Sequence, residues 1–235
     1  MAGAGAPASL AAQQVADSAF APLLGPPAFP EGRGPRVALD EAHHNFHTLD
    51  GRYFTFGLVL EDDGFDVVPN REPFSSASLS AVRVLVISNA LHERNAVSSW
   101  DLPTLSAFTA EEVVAVRRWV EASGALLLIA DHMPFAGAAG ELAAVFGFEL
   151  LNGFASGPGG GGPGPLVFRR SDGSLADHPV TRGASVGLGV DSVASFTGEA
   201  FRIPPGATPL RTLAVGSVSL NPDTAWVFHA GTPRT

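Results

Sequence analysis

Thr109 to His132 reads TAEEVVAVRRWVEASGALLLIADH, a helix signature running directly into a strand signature. Thr109 with Glu112 three residues on forms a capping box, in which each side chain satisfies a backbone N–H that the first helical turn leaves open. Val113, Val116 and Val120 follow a helical stripe, and Gly124 stands where the helix is expected to end. Ala125 to Ala130 (ALLLIA) is then a continuous apolar run, the mark of a strand buried on both faces of a parallel sheet.

The same alternation extends on both sides. Upstream, Val82 to Ser88 (VRVLVIS) is a second continuous run, rich in β-branched residues. Before it, Arg36 to Leu39 (RVAL) opens a short strand ending at Asp40. Tyr53, Phe56, Gly57 and Leu60 predict a helix over 53–63, stopped at Gly64, and Phe65 to Val68 a further strand. The acidic pair Asp62-Asp63 marks that helix end, and Phe46, Tyr53, Phe54 and Phe56 read as core. Downstream, a helix is expected over 137–146, stopped at Gly147. Strands alternating with helices specify an α/β fold: a mainly parallel sheet with helices on both faces. Residues 1–35 read as a Pro/Ala/Gly-rich arm, and 36–235 as a single α/β domain carrying a Gly-rich loop at 157–164. Leu166 to Phe168, Val190 to Phe196, Leu210 to Val215 and Ala225 to Phe228 read as strands that extend or flank the sheet.

Composition narrows the chemistry. The chain has 235 residues, 46 % hydrophobic, with a net charge of −9, so it can bury a core but is poorly suited to polyanions. Nucleic acid is therefore not an expected partner, and no run of about 18 apolar residues is present to span a membrane. All 14 basic residues are Arg, which excludes a P-loop lysine and Schiff-base chemistry. The absence of Cys excludes disulfides, thiolate nucleophiles and iron–sulfur clusters. Ala8 to Ala12 before Gln13 resembles the tail of a small-residue cleavage site. The arm thus reads equally as a secretory-signal remnant or as an unstructured N-terminus, with a periplasmic/secreted or a cytoplasmic location respectively.

Ligands of open α/β sheets bind beyond the carboxyl ends of the strands. The first strand runs into Asp40-Glu41-Ala42-His43-His44-Asn45-Phe46-His47, the third into Asn89-Ala90-Leu91-His92, and the fourth into Asp131-His132. Five of the seven histidines (His43, His44, His47, His92 and His132) therefore follow three predicted strands. If residues 43–47 were helical, His43 and His47 would lie about 40° apart on one face, the relation of paired zinc histidines. Asp40, His43, His47 and His132 are the candidate ligands of a divalent metal ion, zinc foremost, that would activate water. Asp131 is then the candidate general base, with Asn89 or His92 as hydrogen-bond donors to a developing oxyanion. Histidines can equally cap helices or bond carbonyls, and His178, before Pro179, is expected in a turn. Gly183 to Gly187 matches G-x-S-x-G, but Ser185 lacks the preceding strand of a nucleophile elbow. The glycines at 159–162 lack the strand and helix of a phosphate cradle.

The segments DEAHHNFHTLDGRYF, VLVISNALHERN, LLLIADHMPF and ADHPVTRG, in this order, resemble the class I glutamine amidotransferase-like superfamily. The likeness is to a bacterial branch related to trehalose-utilisation and gliding-motility proteins, and it covers about residues 36–215. It implies a flavodoxin-like, amidotransferase-like sheet. The amidotransferases carry a Cys nucleophile after the strand that matches ALLLIA, where this chain has Asp131-His132, so glutaminase chemistry is excluded.

The reading that follows is a metal-dependent hydrolase, of esterase or phosphoesterase type, acting on an ester, lactone or phosphoester bond of a small-molecule substrate. Two alternatives stand beside it: a non-catalytic amidotransferase-like binding or sensing module, and a metal-free hydrolase with an Asp131–His132 dyad. The sequence does not specify an oligomeric state.

Overall fold

The computed structural model describes residues 15–20, 25–97, 102–156, 166–183, 189–195, 198–211 and 218–220. Four strands, β1 (Arg36–Asp40), β2 (Asp66–Asn70), β3 (Val84–Ser88) and β4 (Ala125–Ile129), pair in parallel in the order β2-β1-β3-β4. The chain steps from β1 to one side and then returns to build β3 and β4 on the other. This leaves a topological switch point between the carboxyl ends of β1 and β3, the place where open α/β sheets bind ligands.

The pleat sorts the strand residues onto two faces. Leu85 and Ile87 of β3 pack with Ala38 under α3 (Ala110–Glu121) and α4 (Phe135–Ala144), through Val113, Val116 and Leu142. Val86 joins Val37 and Leu39 on the other face, under Phe56 and Leu60 of α1 (Phe54–Asp62). The protein is thus a mixed α/β fold with helices on both sides of a parallel sheet. β4 departs from expectation. Leu126 and Leu128 pack toward α3 and α4 and Ile129 toward α1, but Leu127 is 44 % exposed. Among the described residues β4 is an edge strand, and an apolar run alone does not distinguish one covered face from two.

The helix punctuation follows the side-chain chemistry. Thr109 accepts the Glu112 N–H, and the Glu112 side chain accepts the Thr109 N–H, so the capping box is closed. Thr109→Ala is expected to cost about 1 kcal/mol of stability in urea unfolding. The left-handed residue that ends α3 is Ser123 (φ 79), not Gly124. After α1 the turn does use glycine: Gly64 has φ +90, and a Cβ there would lie 2.1 Å from the Phe29 carbonyl oxygen. Gly64→Ala should therefore lower stability by roughly 1–2 kcal/mol from the left-handed backbone, before the clash is added. A thermal midpoint unchanged from wild type would contradict this.

The C-terminal strands do not extend the parallel sheet among the described residues. They form antiparallel pairs: β5 (Glu149–Leu150) with β9 (Phe201–Arg202), β6 (Phe154–Ser156) with β10 (Val218–Leu220), and β7 (Leu166–Arg169) with β8 (Ser192–Ser195). A small cluster of Ala155, Leu166, Phe168 and Leu175 joins both sides of the Gly-rich segment. That segment, Ser185, His229 and the strand expected over 225–228 lie outside the described residues. No described helix is long and apolar enough to cross a membrane.

Candidate functional site

The loop after β1 is not helical, so the one-face relation of His43 and His47 does not form. Side chains compete successfully with a helix here. The Asp40 carboxylate accepts the Ala42 N–H and the Asn45 amide, and Asn45 Oδ1 accepts the His43 N–H. His44 takes φ 47 and turns outward, exposed.

These bonds aim His43 into the core. Its Nδ1 lies 2.9 Å from both Asp40 oxygens, and its Nε2 lies 2.8 Å from Glu112 Oε1. Glu112 also accepts the Phe74 N–H, tying the segment before β3 to the start of α3. The ring packs between Phe74 and Phe108, with centroids 4.7 and 4.8 Å away. Burial alone would lower the pKa of His43, but the hydrogen bonds and charges of Asp40 and Glu112 outweigh it and raise the value. Glu112 is likewise opposed by burial, yet the Thr109 and Phe74 amides and His43 hold its pKa below the usual value. Two acceptor-only carboxylates at one ring require both nitrogens to donate, which makes His43 an imidazolium.

His43 and Asp40, expected as metal ligands, are thus bonded to each other, and His43 also to Glu112. The other expected ligands are committed to separate partners. His47 Nδ1 lies 2.9 Å from Ser88 Oγ, and its ring stacks on Tyr53 at 4.3 Å. Burial first and the Arg52 charge second lower its pKa, against the Asp131 charge, so it is a neutral imidazole. His132 Nδ1 donates to the Met133 carbonyl at 2.5 Å, and its ring stacks on Phe154 at 4.2 Å. Among the described residues no group of three His, Asp or Glu side chains is disposed to hold a metal ion. In the Asp131–His132 pair the His132 backbone N–H donates to Asp131 Oδ1 at 2.8 Å, and the ring Nε2 lies 4.0 Å from Asp131 Oδ2. His92 accepts the Arg94 N–H at the start of α2 (Glu93–Val97), and His178 caps α5 (Pro179–Arg182).

What the fold does assemble at the switch point is a different set. Asn89 follows β3 with φ 49 and is 2 % exposed. Its N–H donates to Ile129, its carbonyl accepts from Phe46, and its Oδ1 accepts the Asp131 N–H at 2.8 Å. One residue thus holds the loops after β1 and β4 in place. Its Nδ2 has no hydrogen-bond partner among the described residues. The Asp131 side chain is 32 % exposed, and its charge acts on both His47 and Glu199.

Glu199 has no counterpart in the sequence reading. It lies in the strand-like course 198–202, which runs beside 149–155 with bonds from Leu151 N to Ala200 O and from Ala155 N to Gly198 O. Between these bonds Asn152 takes φ 48, and its N–H donates to Glu199 Oε2 at 3.3 Å. Asn152 is itself fixed by bonds to Gly137 N and Thr104 Oγ1. Burial pushes the Glu199 carboxyl up to about 8, with the Asp131 charge adding to the push and the Asn152 and Leu151 amides opposing it. His44, Asn89 and Asn152, three of the four described non-glycine residues with positive φ, are loop residues near this end of the sheet. Such strain persists only where surrounding bonds over-determine it, and it clusters at functional sites.

No family model matches the chain, and no curated protein matches it. Among solved structures it is similar to the mmIFT52 N-terminal domain, with a TM-score of 0.54 and 10 % identity, over 79 % of this chain and 76 % of that one. At that identity the likeness is one of fold, and it agrees with the mixed α/β architecture.

Proposed function

We propose that this chain is a hydrolase of small-molecule esters or lactones, working at the carboxyl end of its parallel sheet without the histidine metal centre. The observation that carries the reading is Asn89, a buried amide beside the Asp131 loop whose Nδ2 has no partner among the described residues. A buried donor left open costs stability unless something supplies an acceptor. A substrate carbonyl oxygen that gains charge during attack is such an acceptor. Asp131, partly exposed, takes a proton from water as the water oxygen attacks the acyl carbon. The Asp131 charge disfavours a phosphate dianion, so neutral acyl substrates suit the site better than phosphoesters. The order β2-β1-β3-β4 supports the flavodoxin-like, amidotransferase-like reading, which shares that beginning.

A panel of aryl esters and lactones, assayed with wild type and Asp131→Asn before and after chelation, tests this. Hydrolysis by wild type, lost in the variant and unchanged by chelator, is the expected result. Loss of the activity on chelation would return the metal-dependent reading. A second reading, a binding module, is favoured by His43, His47 and His132 each committing ring nitrogens to the fold. It gains if wild type hydrolyses nothing in the panel.

A further inference from the structure

The hydrolase reading assigns a base and an oxyanion donor but leaves the leaving group without a proton source. We propose that the Glu199 carboxyl, held by the Asn152 turn beside the loop that carries Asp131, protonates the leaving oxygen, and that the substrates are therefore alkyl esters or lactones with poor leaving groups. This rests on the hydrolase reading above.

Two observations carry it independently of each other. The first is the placing of Glu199: a strained turn at Asn152, pinned by Gly137 and Thr104, presents an N–H to one carboxyl oxygen and so fixes the group next to the Asp131 loop. The second is Asn89, 2 % exposed, whose Oδ1 holds the Asp131 N–H and whose Nδ2 has no partner among the described residues, which points to an oxygen-bearing ligand beside Asp131. The charge acting on Glu199 is that of Asp131, which also acts on His47; the Arg202–Glu149 pair lies on the neighbouring strands, Glu149 partnered there. Burial keeps Glu199 protonated up to about 8. A carboxyl group held neutral in this way can donate a proton while the partly exposed Asp131 side chain meets the attacking water.

The step balances. The water oxygen bonds to the acyl carbon as Asp131 takes the water proton. The bond from carbon to the alkoxy oxygen then breaks as that oxygen takes the Glu199 proton. The proton held by Asp131 returns to Glu199 through solvent, and acid and alcohol leave. An alkoxide needs such a proton, whereas a nitrophenolate leaves without one, so the two substrate kinds respond differently to loss of the acid.

Ethyl butyrate and 4-nitrophenyl butyrate, assayed with wild type, Glu199→Gln and Asp131→Asn, make the test. Glu199→Gln should lower hydrolysis of the ethyl ester by about 10²–10⁴-fold and change the nitrophenyl ester by less than about 3-fold. With wild type, the ethyl-ester rate should fall as pH rises through about 8, a limb that Glu199→Gln lacks. In infrared difference spectra a neutral-carboxyl band at pH 7 should be present in wild type and missing in Glu199→Gln. Equal losses on both esters, or no such band, overturn the role of Glu199. If Asp131→Asn abolishes activity while Glu199→Gln leaves both rates intact, only the present inference falls. If wild type cleaves neither ester, both readings fall together.

Discussion

His43→Ala is expected to lower unfolding free energy by about 3–5 kcal/mol, because it leaves two buried carboxylates facing each other without their cation. Asp40 is 0 % and Glu112 6 % exposed, so water cannot readily replace the imidazolium. The loss would be a large part of the roughly 5–15 kcal/mol that holds a domain folded. Urea unfolding at pH 6 measures it, and a change under about 1 kcal/mol would mean that the clamp contributes little. The pH dependence has a definite sign. The folded pKa of His43 is raised, so its contribution is complete below the unfolded value of 6.5 and is lost as pH rises through the higher folded value. The folded pKa of Glu112 is lowered, so its contribution is present above 4.5 and is lost as pH falls through the lower folded value. Stability should therefore peak between these two limits. His43→Ala should remove the alkaline decline that His43 causes, and a wild-type profile flat from pH 6 to 9 would contradict the imidazolium.

Asp131→Asn is expected to lower kcat by about 10²–10⁴-fold, the usual contribution of a positioned base. Its backbone N–H still reaches Asn89 Oδ1, so the loop after β4 keeps its place and the loss reports the carboxylate alone. Asn89→Gly is the companion. Glycine accepts φ 49 without strain, so the backbone bonds to Phe46 and Ile129 can persist while the amide is removed. The expected result is a kcat lowered by about 10²–10³-fold, as for an oxyanion donor. Circular dichroism should show retained structure. Activity near wild type in Asn89→Gly would remove the oxyanion role.

Local chemistry was legible wherever neighbours in the chain settle the outcome. The Thr109–Glu112 box, the β3 run, the stop at Gly64 and the end of α1 at Asp62-Asp63 all form as their residues dictate, and β4 forms as a strand though with one face less covered than its run implies. The placing of polar residues after β1, β3 and β4 was also legible, because a parallel sheet puts every strand's carboxyl end on one side. The partners of those residues were not. Helical spacing paired His43 with His47, but Asp40 and Asn45 bend the loop and turn His43 toward Glu112, 69 residues away. Asn89 and Asp131 meet because β3 and β4 are neighbours in register, with Ser88 beside Ile129. Glu199 reaches the same place only through the pairing of 198–202 with 149–155, in a stretch with no histidine or periodic signal to single it out. The α/β alternation and the end of the sheet where polar groups gather could be read before folding, since both follow from local periodicity and strand direction. That His43 bridges Asp40 and Glu112, and that Asn89 holds the Asp131 N–H, follows from tertiary contacts, since hydrogen bonds and burial depend on neighbours that sequence spacing does not encode.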